Sequence, residues 1–144
     1  MRDGWQASEG RLPSAEPRGL AQRAFRQGDV PAVRRFAHAF CARAGIASGR
    51  VSDFVLAVSE ASACATARGP CTARVRLWLA GGRAFCEVSG DGMLVRQAAR
   101  ADRPAGRADE AEALRRLVLR QLSDYVSVAA SPGGVRVMLS MTVA

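Results

Sequence analysis

The sequence has 144 residues, of which 49% are hydrophobic and 24% are charged, a composition that excludes a disordered chain and favours one globular domain. The formal net charge is +8, and all 21 basic residues are arginine, so a nucleic acid and an acidic protein are both compatible partners. No apolar stretch approaches the roughly 20 residues of a membrane-spanning helix, and no apolar signal-peptide core follows the first methionine. We therefore expect a cytoplasmic protein without membrane contact.

The first 18 residues mix glycine, serine, proline and charged side chains without periodicity, which predicts a flexible tail before a single domain at residues 19–144. Hydrophobic periodicity then predicts eight elements. In chain order they are strand 20–26, helix 30–44, helix 48–68, strands 71–79 and 84–88, helix 109–122, and strands 125–129 and 135–143. This order is typical of an α+β fold, a two-layer α/β sandwich in which helices cover one face of a mixed, mostly antiparallel sheet.

Local signals predict several element ends. Asp29 stands two residues before Pro31, the pattern of a capped helix start with an early proline, and Gly45 is typical of a helix end. Ser48 is predicted to cap the second helix. The glycine pair at 81–82 predicts a tight turn between two paired strands.

The four cysteines are widely spaced and form no CxxC pair, so buried thiols in a reducing compartment are the simplest interpretation. Cys64 has Arg68 one helical turn later, and the two interpretations of this pair are a packed, inert thiol and a reactive thiol favoured by the positive charge. His38 and Cys41 have the spacing of half a metal site, but no second half follows, and no metal site is predicted.

Two further features have open interpretations. The arginines of segment 96–107 form either a solvated loop or a docking surface for an acidic partner. Trp78 lies on the outer side of its predicted strand, where it either covers the sheet or forms an interface hot spot. The few aromatic residues are not interleaved with basic ones, and no helix-turn-helix or zinc-finger spacing occurs, so nucleic-acid binding is an unsupported alternative.

A short motif and the order of elements carry a resemblance to a known family. The motif is Leu-Ala-Val-Ser-Glu at 56–60 on the second helix, followed by Gly69, by Leu-Ser-Asp at 122–124 and by Pro-Gly-Gly at 132–134. With the order helix, hairpin, loop, helix and closing hairpin, these segments resemble the histidine-kinase-like (GHKL, or Bergerat) ATPase domain of bacterial anti-sigma factors, the serine kinases of partner-switching systems. The resemblance covers residues 20–143.

The resemblance implies ATP and Mg²⁺ bound beneath a flexible lid, and phosphorylation of a serine on an anti-anti-sigma partner. The family's second helix carries a glutamate and, four residues later, an asparagine that holds the metal and phosphates; residues at this spacing share one helix face. Glu60 matches the glutamate and is the candidate catalytic residue, whereas Cys64 stands at the asparagine position and Arg68 where a histidine is common. A thiol is a poor ligand for Mg²⁺, because the ion prefers hard oxygen ligands.

The family's other two sequence boxes are also altered. The second box is an aspartate that takes the adenine amino group, followed by spaced glycines. By register, Gly90 stands at the aspartate position, Asp91 lies one place later and Gly92 matches the first glycine, whereas Leu94 replaces the second. A small shift of the loop would bring Asp91 into the aspartate position, so this box is altered rather than lost. The third box places two glycines around the phosphates, where the lid meets the third helix. Ala113 and Arg115 stand there, and Arg115 introduces a cation that also fills the space.

These alterations predict a regulatory protein-binding module of the anti-sigma type that lacks a working ATP site, with Glu60 as a vestige and with neither ATP nor Mg²⁺ as a cofactor. The predicted partner is a sigma factor or an anti-anti-sigma protein, with a second copy of the chain as a further partner. Two alternatives stay open: an active serine/threonine kinase that uses ATP and Mg²⁺, and an arginine-rich nucleic-acid-binding domain.

Overall fold

The computed structural model describes residues 17–66, 71–90, 107–131 and 134–143, and in this part of the chain three helices lie against one face of a five-stranded sheet. The elements in chain order are β1 (Arg18–Arg26), α1 (Val30–Ala44), α2 (Ser48–Ala65), β2 (Thr72–Ala80), β3 (Arg83–Gly90), α3 (Arg107–Leu122), β4 (Tyr125–Ser131) and β5 (Gly134–Thr142). They confirm the predicted two-layer α+β fold. Of the predicted tail, 1–18, residues 1–16 lie outside the described part of the chain. Its last residue, Arg18, is the first residue of β1 rather than part of a tail.

The strands are ordered β1-β2-β3-β5-β4, so β1 and β4 form the two edges of the sheet. Each of the four strand pairs is antiparallel. The predicted turn between β2 and β3 is confirmed: Gly81 and Gly82 have φ angles of 58° and 77°, a left-handed pair that glycine adopts without steric cost.

The ends of α1 agree with the sequence, and those of α2 differ. Asp29 Oδ1 accepts a hydrogen bond from the Ala32 amide at 3.3 Å, and Gly45 adopts the left-handed conformation that ends α1. The predicted cap at Ser48 is wrong, because Ala47 is the capping residue and makes no side-chain bond. Ser48 is itself the first residue of the helix, so the helix begins one residue earlier than a cap at Ser48 would place it.

At its other end, α2 stops at Ala65 rather than at Arg68, and residues 67–70 lie outside the described part of the chain. The Thr66 hydroxyl donates to the Ser62 carbonyl at 2.8 Å, and Gln27 Nε2 donates to the Thr66 carbonyl at 2.5 Å. The Gln27 side chain thus bonds a backbone carbonyl oxygen that would accept from an amide of a further helical turn if the helix continued.

The core lies between the inner face of the sheet and α2, the most buried helix. Phe54 of α2 packs on Phe40 of α1 with ring centroids 5.9 Å apart, and both are almost completely buried. The strands contribute a continuous buried set at their centres, formed by Val75, Leu77, Cys86, Val88, Val137, Leu139 and Met141. No helix among the described residues combines the length and apolar character that crossing a bilayer requires.

The cysteines form no disulfide, as predicted, and three of the four are buried. Burial raises the pKa of the Cys41 thiol to about 11, and burial together with the neighbouring charge of Glu87 raises the pKa of Cys86 as well. Both thiols are therefore protonated at neutral pH and act as small apolar side chains.

Asp124 ties the start of β4 to the end of β5. Its Oδ2 accepts a hydrogen bond from the Thr142 amide at 2.6 Å, and its own amide donates to the Ser140 carbonyl at 2.9 Å. Partial burial raises the pKa of Asp124, but the hydrogen bonds from Thr142 and the charges of Arg50 and Arg83 outweigh it and leave the pKa below its usual value.

A carboxyl with a lowered folded-state pKa stabilises the fold above its unfolded pKa of about 3.9, and this stabilisation is lost as pH falls through the folded pKa. We therefore expect Asp124→Asn to lower the denaturant midpoint at neutral pH, with a difference from wild type that shrinks as the solution is acidified below the unfolded pKa. Urea unfolding at a series of pH values measures this. A difference that grows toward acid would contradict the assignment.

Candidate functional site

Helix α2 places the residues of the predicted first box between the sheet and α3, both of which it contacts. Glu60 and Cys64 are one turn apart on the same face of the helix, as their spacing predicts. Their surroundings differ, because Cys64 is fully buried in the core while the Glu60 side chain remains 25% exposed. Only Glu60 of this pair therefore reaches solvent.

Glu60 is joined to the third predicted box by an ion pair. Arg115 Nε of α3 lies 3.9 Å from Glu60 Oε1, and the Arg115 side chain is 36% exposed. Ala113, the other residue of that box, is exposed on the same helix. The packing of α2 against α3 thus brings together two positions that are 55 residues apart in sequence.

Gly90, at the predicted aspartate position, is the last residue of β3 and lies against the C-terminal turn of α2. A Cβ atom at this position would collide with the Ala65 carbonyl oxygen and lie 3.0 Å from the Ala65 carbonyl carbon. The obstacle is backbone, which cannot rotate away as a side chain can. This close approach requires glycine, so no longer side chain fits at position 90.

The other predicted site residues, Arg68, Asp91 and Gly92, lie outside the described residues, as does nearly all of the arginine-rich segment 96–107. Within the described ranges, no group of three or more His, Cys, Asp or Glu side chains is placed to hold a metal ion. Glu60 has a cation as its ionic partner and Cys64 offers a soft, buried sulfur, so this donor set does not fit Mg²⁺.

A small pocket lies on a different side of α2, roughly 150° around the helix from Glu60 and Cys64 at about 100° per residue. It has a volume of about 40 Å³, room for a few water molecules, and is lined by the start of α1 and by Ser59, Ser62 and Thr66. Ser62 Oγ is buried and has no hydrogen-bond partner among the described residues. Sequence reasoning missed this pocket, because its serines fall within an otherwise apolar stripe.

The Glu60–Arg115 pair is partly exposed, so we expect a modest contribution to stability. In a double-mutant cycle of Glu60→Gln and Arg115→Gln, the coupling free energy should be about 1 kcal/mol or less and should decline with added salt. Chemical denaturation of the four proteins measures it. The matched control is the Arg50–Asp53 pair of α2, at 3.3 Å and similarly exposed; a coupling of several kcal/mol at Glu60 would contradict this expectation.

Comparison of the sequence with known families agrees with this geometry. A family model described as histidine kinase-like ATPase domain matches residues 24–141, a segment that runs from β1 into β5 and includes all three helices described above. No curated protein gives a significant match to the chain. Because the family match covers most of its length, the chain belongs to the histidine kinase-like ATPase domain family.

Proposed function

We propose that this domain is a regulatory protein-binding module of the anti-sigma-factor type in a bacterial partner-switching system, and that it works without binding MgATP. The observation that carries the proposal is the Glu60–Arg115 ion pair. By the family resemblance, Glu60 stands beside the metal and phosphates and Arg115 stands where glycines would surround the phosphates. The ion pair supports the proposal, because each of these two side chains already has an opposite charge as its partner.

Two further features support loss of the nucleotide. Cys64, at the position of the metal-holding asparagine, is fully buried and presents no hard oxygen ligand. Gly90, at the position of the adenine-binding aspartate, is held against the Ala65 carbonyl, which leaves no space for a side chain. Together with the ion pair, these two features support a domain that works without MgATP.

Partner binding does not require the nucleotide, because shape and charge can carry a protein interface on their own. A sigma factor and an anti-anti-sigma protein are the partners that the resemblance implies. A domain with a net charge of +8 attracts acidic protein surfaces over a distance set by the ionic strength.

Isothermal titration calorimetry of the full chain with MgATP tests whether the domain works without binding the nucleotide. We expect no heat of binding in the micromolar range, and no rise in the unfolding temperature with millimolar MgATP, since a ligand that binds the folded state stabilises it. Micromolar binding would overturn the proposal.

Affinity capture from bacterial cytoplasm with mass spectrometry tests the anti-sigma assignment. We expect a sigma factor or a small anti-anti-sigma protein to be retained equally by wild type and by Glu60→Ala, with and without ATP. Retention that requires both Glu60 and ATP would instead favour a nucleotide-dependent switch, and capture of neither class of protein would overturn the anti-sigma assignment.

An active serine/threonine kinase is the alternative, and the observation that favours it is that Glu60 retains solvent access in a member of an ATPase family. It requires transfer of the γ-phosphoryl group of ATP to a serine of the captured partner, lost in Glu60→Ala. Absence of labelled product under conditions in which the partner is bound would remove this alternative.

A further inference from the structure

The face of the sheet opposite the helices carries an apolar cluster of its own. Phe85 and Met138, on neighbouring strands, are 2% and 4% exposed, and Trp78 and Tyr125 pack against them. Trp78 stacks on Phe85 with ring centroids 5.4 Å apart and an interplanar angle of 3°. This outer cluster is separate from the main core, and all three described helices pack on the other side of the sheet.

A basic band adjoins the outer cluster toward the other end of the strands. Arg74 of β2 and Arg136 of β5 each pair in register with Ser89 of β3, so they flank it on the same row of the sheet. Arg76 lies in the next row, and its guanidinium is 5.7 Å from the centroid of the Trp78 ring. The basic band, formed by Arg74, Arg76 and Arg136, therefore borders the aromatic residues directly.

The acidic residue beside the band does not neutralise the band as a whole. Glu87 is 12% exposed and lies between two arginines, with Arg76 Nη1 at 2.9 Å from Oε1 and Arg136 Nε at 3.5 Å from Oε2. Its carboxylate orients these arginines, whose side chains are 42% and 45% exposed. Arg74 is exposed and Arg76 is only partly covered, so these two guanidinium groups present positive charge to solvent beside the aromatic residues.

We propose that the outer cluster and the basic band form a docking site for an acidic protein partner that places an apolar side chain against Trp78. Tryptophan, tyrosine and arginine are the residues most enriched at interface hot spots. The partner is assigned by charge complementarity, because carboxylates around an apolar anchor match a basic band beside an aromatic cluster.

Other occupants match less well. A second copy of the chain carries the same net charge of +8, so charge repulsion opposes its approach. A single-stranded nucleic acid needs open aromatic faces for its bases, but the Trp78 ring is already stacked on Phe85 and approached by Arg76. An apolar side chain needs no open ring face and can pack against the part of Trp78 that remains exposed. The outer cluster and the basic band lie on the side of the sheet away from Glu60, so docking there does not depend on whether the chain binds MgATP.

The test is selection of a random peptide library, displayed on phage, against the folded full-length chain. We expect enriched peptides to be acidic and to share an aromatic or large aliphatic residue. As synthetic peptides they should bind about thirtyfold more weakly to Trp78→Ser and about tenfold more weakly to Arg74→Glu, as expected for hot-spot and charge contacts.

Arg35→Glu is the matched control, since Arg35 is an exposed residue of α1 on the opposite side of the molecule, and it should leave affinity almost unchanged. Circular dichroism checks that each variant is folded, and Arg74→Glu, at an exposed position, keeps the test decisive if Trp78→Ser is unstable.

Several outcomes would overturn the proposal: no enrichment, enriched peptides without acidic residues, or binding that is insensitive to both outer-face variants. A dimer that Trp78→Ser dissociates would assign the surface to a second copy instead. Tight binding of a single-stranded oligonucleotide that Arg74→Glu abolishes would assign it to nucleic acid.

Discussion

Gly90→Asp is expected to destabilise the folded domain by about 4 kcal/mol or more, a large part of the stability of an ordinary domain. The new Cβ would collide with the Ala65 carbonyl oxygen, so the end of β3 and the end of α2 would have to separate. The carboxylate would also lose hydration at a buried position. The denaturant midpoint, followed by circular dichroism, measures the loss.

Two controls separate the causes of that loss. Gly90→Ala introduces the collision without the charge, and we expect it to account for about half of the effect. Gly49→Ala introduces a methyl group in α2 where nothing lies within 4 Å, and it should stabilise the domain by up to about 1 kcal/mol through helix propensity. A Gly90→Asp protein as stable as wild type would show that this end of the sheet opens readily, and would weaken the case for a closed nucleotide site.

Cys64→Asn, which restores the family's asparagine, is expected to cost about 3 kcal/mol of folding free energy and to leave MgATP binding undetected. Cys64 is fully buried in the core, and its side chain is not accessible to solvent. An asparagine side chain is larger than the thiol and would have to be accommodated in a closely packed, hydrophobic cluster. Urea denaturation measures the first effect and calorimetric titration the second.

The matched control is Cys71→Asn, because Cys71 is half-buried just before β2 and an amide there remains partly hydrated. We expect it to cost less than half as much as Cys64→Asn. Equal losses at the two positions would indicate that burial is not the cause. A Cys64→Asn protein that gains MgATP binding would contradict the proposal that Arg115 and Gly90 also close the site.

The sequence predicted the parts of the fold that depend on local signals. Asp29, Gly45 and the glycine pair at 81–82 act within a few residues of themselves, and the structure confirms each of them. Ser48 was a wrong prediction, because several neighbouring residues can begin a helix and tertiary packing selects among them. The end of α2 depends on Gln27 of a distant segment, a contact that no local pattern reveals.

The candidate site was predictable in its membership but not in its contacts. Spacing placed Glu60 and Cys64 on one face, while their different burial depends on how α3 and the sheet cover that face. The ion pair to Arg115 and the contact of Gly90 with Ala65 are products of packing. The sequence analysis found no interleaving of aromatic and basic residues. Arg76 and Trp78 are nevertheless neighbours on one face of β2, and the Arg76 guanidinium lies near the Trp78 ring.

The position of β1 at the edge of the sheet has a consequence for how the protein behaves in concentrated solution. An edge strand exposes unpaired backbone groups that invite strands of other molecules, and natural proteins counter this with charge and irregularity. β1 carries Arg18, Arg23 and Arg26, and its register with β2 is interrupted between Arg18 and Ala21. Two such edges repel one another when they approach, so the arginines of β1 protect the chain from aggregation, a protection that weakens as salt screens charge.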